Sequence, residues 1–261
     1  MNQIFSFHRF VLLIRLDISE KGKNYLLMGS LLTSLLILLT FPILLSKEHS
    51  EILYLLHPLA LFMLVIFGGS LYTNTAFNQY SSPETGISAL MIPASRLEKY
   101  LTALLTNLLF TIPFLLLFLK LHYFTIGLAN KNIPADMLGY QPIPYPLLQY
   151  FISIHIIVQA AVFLGSIYFR KLSYIKTAGI LLAAVTVIFF SNWVFAYSVT
   201  NHPTNIVTFP FSAWRIWYAH SGRSYYVDLP KNIQYAVYSF PVLFLLACWY
   251  IAFVRLQEKE I

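Results

Sequence analysis

Apolar runs of about twenty residues recur along the chain, separated by polar or turn-rich intervals, and a run of that length is what a helix needs to cross a bilayer. The alternation predicts six spans at approximately 25–45, 53–76, 99–119, 147–169, 174–197 and 235–254. None carries Asp, Glu, Lys or Arg away from its ends. Before the first span, Phe7, Phe10, Val11, Ile14 and Ile18 share one side of a helical wheel and His8, Arg15 and Ser19 the other. That pattern predicts an amphipathic helix over 1–24, lying in the membrane interface. Its apolar stretch is too short, and Arg15 interrupts it, so a signal peptide is not expected. The expected fold is an all-α integral membrane protein, a single transmembrane domain over 1–261.

The most turn-rich interval of the first half is 77–101. Pro83 and Gly86 break any incoming helix, and Ile87, Leu90 and Met91 then fall at the spacing of a short helix with one apolar face. Pro93 ends that helix, because it lacks an N–H and crowds the preceding turn. Ser95 with Glu98 three residues on has the form of a capping box opening the next helix.

On these residues the chain resembles a known family. Glu84-Thr85-Gly86, then Leu90, then Pro93-Ala94-Ser95-Arg96-Leu97-Glu98-Lys99 is similar to the loop between the second and third spans of type-2 ATP-binding-cassette exporter permeases. Ile87 and Ala103 depart from that pattern, standing where the family often has Thr and Gly. The resemblance implies that Glu84, Gly86, Leu90, Pro93, Ser95, Arg96 and Glu98 belong to a coupling helix docked on a cytoplasmic ATP-binding subunit. It implies a homodimer or a heterodimer with a second permease, with ATP and Mg bound by the partner ATPase and no cofactor bound by this chain. It also implies that 1–24 is the elbow before the first span, and that re-entrant helices lie between the fifth and sixth.

Composition agrees with the spans: 58% of residues are hydrophobic and 10% charged, against roughly a quarter charged in soluble domains. The net charge of +7 reflects topology rather than nucleic-acid binding. Of 17 basic residues, 11 fall in the termini and the 77–101 and 170–176 connections, and 6 in the others. The positive-inside rule puts the first set in the cytoplasm, with both termini, in the plasma (inner) membrane. Contact with anionic lipid is expected there.

The outer connections are longer. Residues 120–146 hold Pro134, Pro142, Pro144 and Pro146 and are expected to be irregular. Residues 198–234 are rich in Phe, Trp and Tyr, and 212–220 is expected to form a short helix dipping into the outer leaflet. Within the spans, Asn107, His155 and Gln159 are polar, with His155 and Gln159 on one helix face. They serve either interhelical packing or the lining of a translocation path. Gly68, Gly69 and Ser70 would admit a close neighbouring helix, Pro113 would kink the third span, and His57 reads as an outer interface residue.

Catalytic motifs are absent: there is no G-x-x-x-x-G-K-[ST], no H-E-x-x-H and no G-x-S-x-G. His202, His220 and Asp228 share the outer loop without a metal-ligand spacing. The chain is therefore expected to be a non-enzymatic exporter subunit that couples ATP hydrolysis in its partner to translocation. The alternative is an integral membrane enzyme or assembly factor with its site in 198–234.

Overall fold

A computed structural model describes residues 5–77, 79, 86–87, 91–134, 139–169, 171–200, 205–208, 214–218, 224–227 and 230–259. The helices are α1 (Phe7–Thr40), α2 (Glu51–Phe62), α3 (Gly69–Thr73), α4 (Arg96–Asn132), α5 (Tyr145–Tyr168), α6 (Ser173–Val199) and α7 (Lys231–Lys259). A wide π-type segment, Met63–Gly68, joins α2 to α3 and makes them one span. Among the described residues, six helices are long and apolar enough to cross a membrane. The protein is thus a multi-pass helical membrane protein. It packs as two compact units, Met1–Tyr174 with Trp249–Ile261, and Ile175–Cys248.

Three boundaries differ from expectation. No break separates an interfacial helix from the first span: α1 runs unbroken through 24 and 25. No proline interrupts it, and at its start Ser6 and Arg9 bond to Glu98 of α4. The second difference is α4, which continues to Asn132 through Pro113. At ~1.5 Å per residue it outruns the ~30 Å hydrocarbon by several turns, so 120–132 is helix, and of the rest of this connection the described residues 133–134 and 139–144 are irregular.

The third difference lies in 198–234, where 214–217 is not a helix but a strand. β1 (Asn205–Thr208), β2 (Trp214–Trp217) and β3 (Ser224–Val227) form an antiparallel sheet in that order. Ile206 pairs with Ile216 and Ile216 with Tyr225, while Val207 pairs with Arg215 and Arg215 with Tyr226. Alternating apolar and polar residues rich in β-branched and aromatic types suit a pleated surface better than a helix. Ile206, Ile216 and Trp214 pack on Ala196 near the end of α6, leaving Val207, Arg215 and Tyr226 on the outer face.

In the first unit, apolar and polar layers alternate along α4. Tyr100, Ala103 and Leu104 pack with Phe77, Phe163, Ile167 and Leu256. Further along, Phe118 packs with Leu32, Leu36, Leu61 and Leu64. Near the far end, Ile126, Ala129 and Ile133 surround Ile43 and Tyr140. The polar side chains that matter most lie between these layers.

Candidate functional site

The start of α4 is built as its sequence dictates. Ser95 is extended, its Oγ accepts from Glu98 N at 3.2 Å, and Glu98 Oε2 accepts from Ser95 N at 2.7 Å, completing a reciprocal capping box. The other carboxylate oxygen, Oε1, accepts from Ser6 N at 2.5 Å and from Arg9 Nη2 at 3.1 Å. Glu98 is fully buried. One side chain therefore caps α4 and fastens the start of α1 to it.

Just before this cap, Ala94 N donates to Ile92 O at 2.8 Å, a tight turn centred on Pro93, whose fixed φ suits it. Gly86, Ile87 and Met91 are helical, and Ile87 and Met91 are 61% and 79% exposed. Pro93, Arg96 and Leu97 are exposed as well, while Ser95 is buried with Glu98. Exposed apolar side chains at 87, 91 and 97 and the exposed Arg96 thus flank a braced helix start. Gly86 needs no special backbone there: it is helical, and a Cβ would meet only Gln79 O at 3.8 Å. Glu84 and Leu90 lie outside the described residues.

The three polar span residues are buried inside the first unit. His155 Nδ1 lies 2.6 Å from Val65 O in the π-type segment, and because a carbonyl can only accept, this nitrogen carries the proton. Gly69 makes room for that ring: a Cβ there would collide with His155 Cε1 and lie 3.1 Å from Thr111 Oγ1. Gly68 does the same for α1, where a Cβ would come within 2.5 Å of Leu32. Asn107 Nδ2 donates to Ala103 O at 2.5 Å. Asn107 Oδ1, Thr111 Oγ1 and both amide atoms of Gln159 are buried without a hydrogen-bond partner. Since α4 and α5 both pack on the α3 segment, these groups form a neutral polar seam within one chain. Such groups each cost ~1–3 kcal/mol when left unpaired, and sites like this commonly hold water.

Sequence reasoning missed a histidine pair. His57, expected at an outer interface, is fully buried, and its Nδ1 lies 2.8 Å from His122 Nδ1. Ile143 N donates to His122 Nε2 at 3.0 Å, so that nitrogen is bare. The proton of a neutral His122 then sits on Nδ1 and is donated to His57 Nδ1. Beside the pair, the Asn130 side chain clamps both backbone groups of Tyr140, whose hydroxyl accepts from Ser50 N at 2.9 Å and donates to Glu48 O at 3.2 Å. These partners are 65 to 92 residues apart in sequence, except for the Asn130 and Ile143 contacts, so local patterning gives no signal of them.

No group of three or more metal-ligating side chains occurs among the described residues. His202, His220 and Asp228 lie outside them. No protein-family model, curated protein or solved structure matches the chain.

Proposed function

We propose that this chain is the membrane-spanning permease subunit of an ATP-driven exporter, working as a dimer on a separate cytoplasmic ATPase. The observation that carries the reading is the 86–98 segment. It has the residue pattern of a coupling loop, shows exposed Ile87, Met91 and Leu97 beside Arg96, and is braced by Glu98 against Ser6 and Arg9. In this reading Ile87, Met91 and Arg96 touch the ATPase, and the resemblance assigns Glu84 and Leu90 to the same contact. Ser95 and Glu98 hold the helix rather than the partner. A push on the loop is passed directly to α4 and, through Glu98, to α1. Both termini and the loop are cytoplasmic, in the inner membrane, as the distribution of basic residues favours. The buried seam of Asn107, Thr111, His155 and Gln159 is a closed part of the translocation path, wetted when the helices separate.

The test is gentle extraction of the full chain from its native membrane. An ATPase subunit should co-purify, and Arg96→Ala should weaken that association while leaving expression unchanged. Extraction that yields no ATPase with wild type contradicts the proposal.

A further inference from the structure

One more unpartnered polar group lies near the start of α4. Thr102 is 6% exposed, and its Oγ1 is buried without a hydrogen-bond partner. It lines a cleft between α1 and α4 whose walls also include Asp17, Glu20, Lys21, Gln79 and Lys99. Two carboxylates and two ammonium groups make that lining strongly polar with no net charge. The cleft reaches the surface at Glu20, which is exposed. Its volume of about 40 Å³ has room for ~3 waters, at the ~10–15 Å³ that each needs, and for nothing larger.

A file of polar contacts leads inward from the cleft. Lys21 Nζ lies 2.5 Å from Asp17 Oδ1, and the Tyr25 hydroxyl donates to Asp17 Oδ2 at 2.5 Å. The Tyr72 hydroxyl lies against those of Tyr25 and Thr106. Thr106 adjoins Asn107, the first member of the buried seam. Tyr100 meets Phe163, and Thr111 and His155 both border Gly69, so α4 and α5 run antiparallel in a register that sets Asn107 level with Gln159. The Tyr25, Tyr72 and Phe110 rings, in mutual contact, stand at the step from cleft to seam.

We propose that this cleft is the cytoplasmic mouth of the translocation path for net-neutral hydrophilic solutes, closed by Tyr25 and Tyr72 with Asp17 as their latch. Two observations carry it. A buried hydroxyl without a partner faces a polar cleft, and the next interior polar groups along the same helix, Asn107 and Thr111, also hold unpartnered oxygens. Helix packing alone would be better served by apolar side chains at these positions. The charge class follows from the lining. A rim with two charges of each sign favours neither ion, and the seam behind it offers donors and acceptors but no counter-ion at membrane depth. This inference rests on reading the seam as part of the path, and names its entrance, its closure and what it admits.

The experiment uses the full chain in native membrane vesicles of either orientation. Cys248, buried and the one cysteine of the sequence, is first replaced by alanine. Thr102→Cys should react with a membrane-impermeant methanethiosulfonate about ten-fold faster from the cytoplasmic side than from outside, because a thiol reacts only where water and reagent reach it. Reagents bearing an ammonium or a sulfonate should differ there by less than about three-fold, once their rates with a free thiol are divided out. Asn107→Cys should be inert until Tyr72→Ala is added and then gain about ten-fold in rate. Leu104→Cys, in the apolar layer, should stay inert in both backgrounds, and unchanged thermal melting verifies folding. An unreactive Thr102→Cys, faster labelling from outside, or a more than about ten-fold preference for one reagent charge would overturn the proposal. So would an Asn107→Cys rate that Tyr72→Ala leaves unchanged, or labelling of Leu104→Cys alongside it, which would mean general loosening. No ATPase is needed for the labelling. Failed labelling of a chain that does bring an ATPase through extraction sinks the mouth alone, and correct labelling of a chain that brings none sinks the coupling contact alone.

Discussion

The carboxylate of Glu98 and the guanidinium of Arg9, 89 positions apart in sequence, meet at 3.1 Å, and Ser6 N joins them on the same oxygen. The carboxylate is fully buried and the Arg9 side chain about a third exposed, so the two partners are not equivalent. Removing Glu98 strands the Ser6 and Ser95 N–H groups inside the protein, whereas removing Arg9 loses a partly screened ion pair.

Glu98→Ala should therefore lower stability by about 2–3 kcal/mol, combining a lost cap with an unpaired buried donor. Glu98→Gln should cost less, because an amide oxygen still accepts in the capping box. Arg9→Ala should cost under about 1 kcal/mol. Thermal unfolding in detergent ranks the three, and an Arg9 variant as damaged as Glu98→Ala would show that the ion pair, not the cap, holds this junction.

The histidine pair predicts a non-additive cycle. His57→Phe leaves the His122 Nδ1–H buried without an acceptor and should cost about 1–3 kcal/mol. Replacing both rings by Phe removes that orphan, so the double variant should be at least about 1 kcal/mol better than the sum of the singles. Additive losses would mean that the rings do not share a proton bond.

Spans were legible because long uncharged runs need only length and composition to be recognised. The Ser95–Glu98 cap was legible because both partners lie within one turn. What stayed hidden depends on distant partners: Glu98 with Ser6, His57 with His122, Tyr140 with Glu48. The run past 119 was missed because the far end of α4 is too polar to count as a span. The strand at Trp214–Trp217 was missed for another reason. Four residues with two aromatics suit a strand as well as a helix, and only pairing with Ile206 and Tyr225 decides.

The adjacent glycines of the second span should respond unequally. Gly69→Ala drives a methyl into the planar His155 ring, which is held by Val65 O and cannot swing aside. It should cost about 2–3 kcal/mol by overpacking. Gly68→Ala meets the Leu32 side chain, chiefly its terminal methyl groups, which can swing aside, and should cost about 1 kcal/mol. His155→Ala in the Gly69→Ala background should recover part of the loss. Unfolding of the four variants measures this, and equal penalties at 68 and 69 would contradict it.

Leu172, in the turn between α5 and α6, has φ of 53°. A branched side chain in the left-handed region costs about 1–2 kcal/mol, and with 67% of its surface exposed Leu172 loses little burial if replaced. Leu172→Asn should raise stability by about 0.5–1 kcal/mol, because Asn tolerates this region. A lower melting temperature in the variant would show that the leucine is held by contacts worth more than the strain.

Coupling requires that the braced loop before α4 touch an ATPase. A photo-cross-linking amino acid placed at Met91, which is 79% exposed, tests it most directly, with the same probe at exposed Asn132 as the control. The probe at 91 should join a nucleotide-binding subunit in native membranes, ATP should change the yield, and the probe at 132 should give no such product. Cross-linking to an ATPase from 132 and not from 91, or no ATPase product from either, would contradict it.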